Sequence, residues 1–253
     1  MINKLALCLT FLVSLSVFAE KPAITENKKS TSGFLYGAGI SISKEIYKGY
    51  NSRTMPLPLI GYKSDKLTIF GPFISYEVYE ASNVKLLIKA APRFQGFDDS
   101  DSYIFSGMAD RQNSMDFGIG LNYQKAGWKV GVSSLFDVLD RSNGIELISA
   151  VSHVFRFGPL FIEPQVSLSY LNNAHVDYYY GVKKEEVNQD RTEFIGKSAL
   201  NTALGLSMAT PIFFGGYTRL NIQHTWFASE ITNSPLVDDD SNLSFQLFFT
   251  KSF

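Results

Sequence analysis

The 253-residue sequence predicts an all-β chain: a transmembrane, antiparallel up-and-down β-barrel of the outer membrane of a Gram-negative bacterium. Three observations carry that prediction. The chain opens on an export signal, its body alternates with period two, and its last strand closes on an aromatic residue.

In the export signal, Lys4 supplies a positive n-region and Leu5 to Phe18 form an apolar h-region. Val17-Phe18-Ala19 provides the cleavage positions. The apolar run is shorter than the roughly 18 to 20 residues a spanning helix needs, and polar Glu20-Lys21 follows at once. Residues 1–19 therefore read as a signal peptide. Cys8 is the single cysteine, and Leu7 before it is too large for a lipobox. It leaves with the signal, so the exported chain has no disulfide staple and depends on sheet closure and packing. Residues 20–32 are polar and Lys-rich and read as a disordered periplasmic leader. Residues 33–253 read as the barrel.

Composition narrows the function classes. The chain holds 21 Phe, 13 Tyr and 2 Trp, with 23 basic and 24 acidic residues. A balance so close to neutral excludes a strongly basic nucleic-acid binder. The partners expected of any such barrel are outer-membrane lipid and the machinery that inserts barrels.

Alternation begins at Gly33. Phe34, Tyr36, Ala38, Ile40 and Ile42 alternate with Leu35, Gly37, Gly39 and Ser41. Met115 to Tyr123, Leu160 to Tyr170 and Leu200 to Met208 repeat the pattern, with small or polar residues between the apolar ones. Apolar positions suit lipid, and small or polar ones suit a lumen. A soluble β-sandwich also alternates, but its outer face would carry many more Lys and Glu. The last strand separates the two. Leu243, Phe245, Leu247, Phe249 and Phe253 share one face, opposite Ser244, Gln246, Thr250 and Ser252. The terminal Phe253 resembles the assembly signature of bacterial outer-membrane proteins, and Lys251 can snorkel near an interface.

Candidate strands lie near 33–42, 56–63, 66–79, 83–93, 114–123, 128–139, 144–155, 160–171, 199–209, 215–227 and 243–253. Gly71-Pro72 splits 66–79, because proline cannot donate to a ladder. That gives twelve strands, the even number bacterial barrels use. Ten is the alternative if the proline-rich 56–63 segment lies inside the barrel. Connections 94–113, 172–198 and 228–242 are long and predicted to be extracellular. Connections 124–127, 156–159 and 210–214 are short and predicted to be periplasmic.

Several stretches carry a resemblance. Tyr47-Lys48-Gly49-Tyr50-Asn51-Ser52-Arg53 is followed by Met55-Pro56-Leu57-Pro58-Leu59-Ile60. Phe70-Gly71-Pro72, Tyr179-Tyr180-Gly181-Val182 and Glu230-Ile231-Thr232-Asn233-Ser234-Pro235-Leu236-Val237 come after it. In order and spacing, from about Gly33 to the end, they resemble the MltA-interacting protein (MipA/OmpV) family. The resemblance implies an outer-membrane barrel. It also implies a scaffold role, since the family's namesake is described as joining a murein lytic transglycosylase to a bifunctional penicillin-binding protein.

Read from the residues alone, Tyr47, Tyr50 and Tyr178 to Tyr180 are interface aromatics or loop-packing residues. Arg53 either pairs with lumen carboxylates or presents itself to a partner. Pro56 and Pro58 make their segment an edge or folded-in element rather than a central strand. These motifs are expected to specify the barrel and its plug.

No catalytic set stands out. Among the three histidines, His153 and His224 fall on strands and His175 in a loop, none within a nucleophile motif. Asp98, Asp99 and Asp101 with His153 are the only acids and histidine that invite comparison with an omptin-like protease. The Asp98–Asp101 and Asp238–Asp240 clusters lack the Gly and distal Glu of a calcium loop, and no cofactor or metal is expected. The chain is read as a non-enzyme. A scaffold or interaction barrel leads, and a small-solute channel or adhesin-like barrel is the alternative. The channel reading rests on Lys85, Lys89 and Arg93, a basic stripe on one strand face. These side chains either line a pore or pair with acids such as Glu77, Asp116, Asp137 and Glu163.

Overall fold

The computed structural model describes residues 32–252. The expected signal peptide, the expected leader up to residue 31 and the proposed assembly residue Phe253 lie outside them. Thirteen strands form one sheet: β1 (Gly33–Lys44), β2 (Ser52–Lys63), β3 (Leu67–Phe70), β4 (Phe73–Ala81), β5 (Val84–Arg93), β6 (Ser114–Lys125), β7 (Trp128–Asp137), β8 (Ile145–His153), β9 (Phe155–Phe157), β10 (Leu160–Leu171), β11 (Ala199–Thr210), β12 (Tyr217–Trp226) and β13 (Ser241–Ser252). All pairings are antiparallel, β1 pairs with β13, and β10 with β11, so the sheet closes. Closure removes the outer edges on which open sheets aggregate, except along the side of β2 that β3 does not reach.

β8 and β9 are two pieces of one stave, both pairing with β10. The break falls at Val154, beside Pro164 of β10, which has no N–H to offer there. Counted as staves, the barrel has twelve strands, as the sequence predicts. Gly71-Pro72 divides β3 from β4, with Gly71 at φ +56°. The folded-in reading of the proline-rich segment is corrected: β2 is a wall strand over its whole length, paired with β1 from Ser52 to Lys63. Its prolines fit because β3 meets it only at Gly61–Lys63, leaving the rest of that side without a partner strand among the described residues.

The faces follow the alternation. Ile40, Ile119, Leu168, Leu204 and Leu247 are exposed on the outside, while Ser41, Asp116, Gln246 and Asn221 are buried within. Side chains alternate across a strand, so one residue type per parity sets the whole face. No described helix is long and apolar enough to cross a membrane. The described ends, Gly33 and Ser252, lie at the same rim as the turns 64–66, 82–83, 126–127, 158–159 and 211–216. Ala126 and Gly127 both take positive φ, as a tight two-residue hairpin requires. This rim is the periplasmic one, and the long loops rise from the other.

Candidate functional site: the capped mouth and the charged lumen

The loops 45–51, 94–113, 172–198 and 227–240 do not splay around an open mouth. Their apolar residues form one core, centred on Tyr47, Phe97, Phe105, Val176, Tyr179 and Tyr180. Tyr47 is 5% exposed; its ring stacks on Tyr180 at 5.5 Å and meets Phe105 edge-on at 5.2 Å. Phe97 and Phe105 stack at 3.9 Å. Burying each such aromatic side chain contributes on the order of 2 kcal/mol. Helix α1 (Asn173–Tyr180) delivers Val176, Tyr179 and Tyr180 on its buried side, and Asn172 caps it by accepting from the His175 N–H.

Polar contacts pin the cap. The Tyr47 hydroxyl donates to the Tyr179 carbonyl at 3.2 Å, and the Ser234 hydroxyl to the Tyr180 carbonyl at 2.6 Å. Tyr47 and Val237 form a β-bridge. Gly49 takes φ +69°, and a Cβ there would stand 2.5 Å from the Tyr103 ring, so both conformation and space call for glycine. Arg111 holds Glu186 with two parallel bonds and donates to the Tyr178 carbonyl at 2.7 Å. Burial raises the Glu186 pKa, but bonds from Arg111 and from the Lys183 and Ala109 N–H groups outweigh it and hold the carboxyl at about 2. His175 is fully buried, and neither ring nitrogen has a hydrogen-bond partner. Burial, and then the nearby Arg93 charge, push its pKa well below the usual histidine value.

Under the cap the lumen carries paired charge. Arg93 bonds Asp116 through two nitrogens and reaches Glu146 at 3.0 Å. Lys85 meets Glu77 at 2.9 Å and Glu80 at 3.4 Å, and Lys129 meets Glu163 at 3.2 Å. Lys89 donates to the Ser133 hydroxyl at 2.8 Å; a Cβ at Gly120 would stand 2.7 Å from its stem. Low dielectric makes such charges costly alone, and each salt bridge offsets part of that cost.

A model of the family described as MltA-interacting protein MipA matches residues 36–253. The chain belongs to that family. It is 27% identical over 209 residues to the MltA-interacting protein of Escherichia coli K12, covering 81% of this chain and 84% of that one. It is 26% identical over 212 residues to a protein named putative outer membrane protein YiaT from the same strain, covering 83% and 86%. An outer membrane channel of Pseudomonas putida F1 aligns with TM-score 0.44 and 9% identity, over 92% of this chain and 100% of that one. This MipA-family chain is an outer-membrane protein.

The MipA-family motifs find each other in the cap. The stretches around Tyr47, Tyr179 and Ser234 to Val237, far apart in sequence, are its mutually contacting core. Loop packing, not the membrane interface, is therefore the role of Tyr47 and Tyr180, with Tyr50 partly buried against them. Arg53 is buried, pairs with Glu45 at 3.0 Å, donates to the Gly96 carbonyl at 3.1 Å and lies 5.0 Å from the Tyr50 ring. It is not displayed to a partner. Pro56 and Pro58 face outward from β2. Lys85, Lys89 and Arg93 do share the inner face of β5, each held by the acid or hydroxyl just described. Of the acids named from sequence, Asp137 instead accepts backbone N–H bonds from Leu139, Arg141 and Ser142.

The remaining candidates do not converge. His153 meets Trp128 edge-on and Phe155 at a tilt near the periplasmic rim, while Asp98 to Asp101 sit in a loop at the opposite rim. His224 lies beside Trp226, an aromatic-belt position. Among the described residues no group of His, Cys, Asp and Glu is arranged to hold a metal. No motif in the sequence singles out Phe248, which points inward where a Cβ on Gly39 would stand 2.4 Å from its ring. A glycine facing an aromatic across a register pair was the available signal.

Proposed function

We propose that this chain is a non-enzymatic interaction barrel, closed outward by its own cap and working through its periplasmic rim. The cap is the observation that carries the reading. Four loops bury their apolar residues against one another instead of framing a mouth. The basic stripe on β5 is paired with lumen groups, which favours a filled interior over an ion pathway.

The family resemblance supplies the partner class, a murein lytic transglycosylase and with it a bifunctional penicillin-binding protein. The periplasmic rim offers mostly two- and three-residue turns, with one exception. The turn 211–216 exposes Ile212 at 62% and Phe214 at 87%. Apolar residues so exposed beside a rim suit contact with a soluble partner. Binding of the purified barrel to purified lytic transglycosylase is the test. We expect binding, weakened by the double change Ile212→Ser and Phe214→Ser. No binding by the unaltered protein removes the scaffold reading, and steady conductance in a planar bilayer replaces it with the channel.

A further inference from the structure

One part of the barrel wall is not hydrogen-bonded sheet. β3 and β4 form a short hairpin that turns at Gly71-Pro72, well below the tops of its neighbours. β2 pairs with β3 only through Gly61–Lys63, and β4 pairs with β5 only up to Ala90. Above the hairpin, Ser52–Ile60 and Ala91–Arg93 therefore face each other with no strand between them among the described residues. At the top, Arg53 of β2 reaches the carbonyls of Phe94 and Gly96 and ties the two sides together. The result is a window with a sill, two jambs and a lintel.

Its frame is built of prolines. Gly71 donates to the Ile60 carbonyl at 2.9 Å, so Ile60 directs its backbone polar groups toward the window. By the period of two, Pro56 and Pro58 direct theirs the same way, and both lack the N–H that would be stranded there. Pro72 forms the sill and Pro92 stands on the opposite jamb. Four of the nine prolines in the chain line this one opening. Missing donors lower the cost of an open edge in lipid and also deny it to an added strand.

The window lies at membrane depth. Pro56 is in register with lipid-facing Ile40, and Ile40 with lipid-facing Leu247. Ile60, at its lower corner, is 76% exposed. Behind it the lumen changes character: Met55, Leu57, Leu59, Phe70 and Phe248 form a buried apolar cluster, with Phe94 packed against it. Elsewhere the inner faces mix Ser, Asn, Gln and paired charges with apolar side chains such as Leu87, Leu135, Ile148 and Phe161 that lie outside this cluster.

We propose that this window is a lateral portal, and that the apolar cluster behind it takes the acyl chain of an outer-membrane lipid entering from the bilayer. Acyl chains are what the bilayer presents at that depth, and the cluster offers them no polar partner. Phe94, at the top of the gap, acts as the shutter.

The test uses the full-length protein in vesicles of phosphatidylcholine with dibrominated acyl chains, compared with unbrominated vesicles. In a Trp128→Phe, Trp226→Phe background, a single tryptophan is placed at Leu57 behind the window, at lipid-facing Ile60, or at lumen-facing Ser167 on β10. Leu57→Trp should lose emission to a degree comparable with Ile60→Trp, while Ser167→Trp keeps its emission. Adding Phe94→Ala should deepen the loss at position 57. Should Leu57→Trp fail to fold, Met55→Trp reads the same space. Full emission from the tryptophan behind the window, with or without Phe94, shows that the cluster only seals the wall and overturns the proposal. Equal quenching at Ser167 overturns it too, since the acyl chain would then not be confined to the portal.

Discussion

Arg111 and Glu186 meet through two parallel hydrogen bonds, 2.9 Å from Nη1 to Oε1 and 2.8 Å from Nη2 to Oε2, and so tie loop 94–113 to loop 172–198. Both side chains are 3% exposed. Removing one partner leaves a buried charge uncompensated. Arg111→Ala should weaken cap closure by about 3 kcal/mol, with the strands intact. Limited proteolysis in detergent should then cut the 94–113 and 172–198 loops far faster than in the parent, while heat-modifiable migration persists. Unchanged cleavage would show that the apolar core alone holds the cap.

Cap stability should fall in acid in two stages. His175 is neutral and buried in the closed cap, with its pKa well below the ordinary 6.5. An open cap takes up a proton that the closed cap refuses, so the closed state loses ground as pH falls below about 6.5. Glu186 has its carboxyl lowered from 4.5 to about 2, so its contribution is complete above about 4.5 and is lost as pH falls toward 2. Proteolysis or hydrogen exchange across pH 7.5 to 2.5 should resolve both stages. His175→Phe should abolish the first and leave the second.

The basic stripe should be structural. Arg93 is buried with Asp116 and Glu146, so Arg93→Glu places three acids together without a cation. That change should cost at least about 3 kcal/mol, read as a lowered urea midpoint of the folded barrel. Lys85 is 31% exposed, and Lys85→Ala should cost no more than about 1 kcal/mol. A triple change of Lys85, Lys89 and Arg93 to Glu that folds normally and reverses ion selectivity would return these residues to a pore lining.

For the scaffold reading, the outward loops should not matter to a periplasmic partner. Shortening 94–113 should leave transglycosylase binding at the parent level, measured by interferometry, whereas deleting residues 21–30 should weaken it. Dependence on the outward loop would reverse the assignment of rims.

The terminal signature has its own test, since Phe253 lies outside the described residues. Phe253→Asp should reduce the assembled fraction in outer-membrane preparations. Normal assembly of that variant would remove the reading of the last strand as a recognition element.

What is decided one residue at a time is legible in the amino-acid order alone. Lipid and lumen make opposite demands on alternate positions, so Phe34 to Ile42 and Leu200 to Met208 announced their faces before any pairing was known. The Gly71-Pro72 break was equally legible, because a missing donor and a positive-φ glycine act locally. Tertiary structure alone decided what depends on closing the chain over long distances. Nothing near Tyr47 in sequence points to Tyr180 or Val237 as its neighbours, and no local period says which acid Arg93 will meet. Met55 to Ile60 shows both sides of the division. Its prolines signalled an irregular strand, but only the shortness of the β3–β4 hairpin made it a wall with an open side. Local periodicity reports which solvent a side chain faces; the partner it finds there is set by sheet closure, which brings distant residues together at a loop-entropy cost that local sequence does not record.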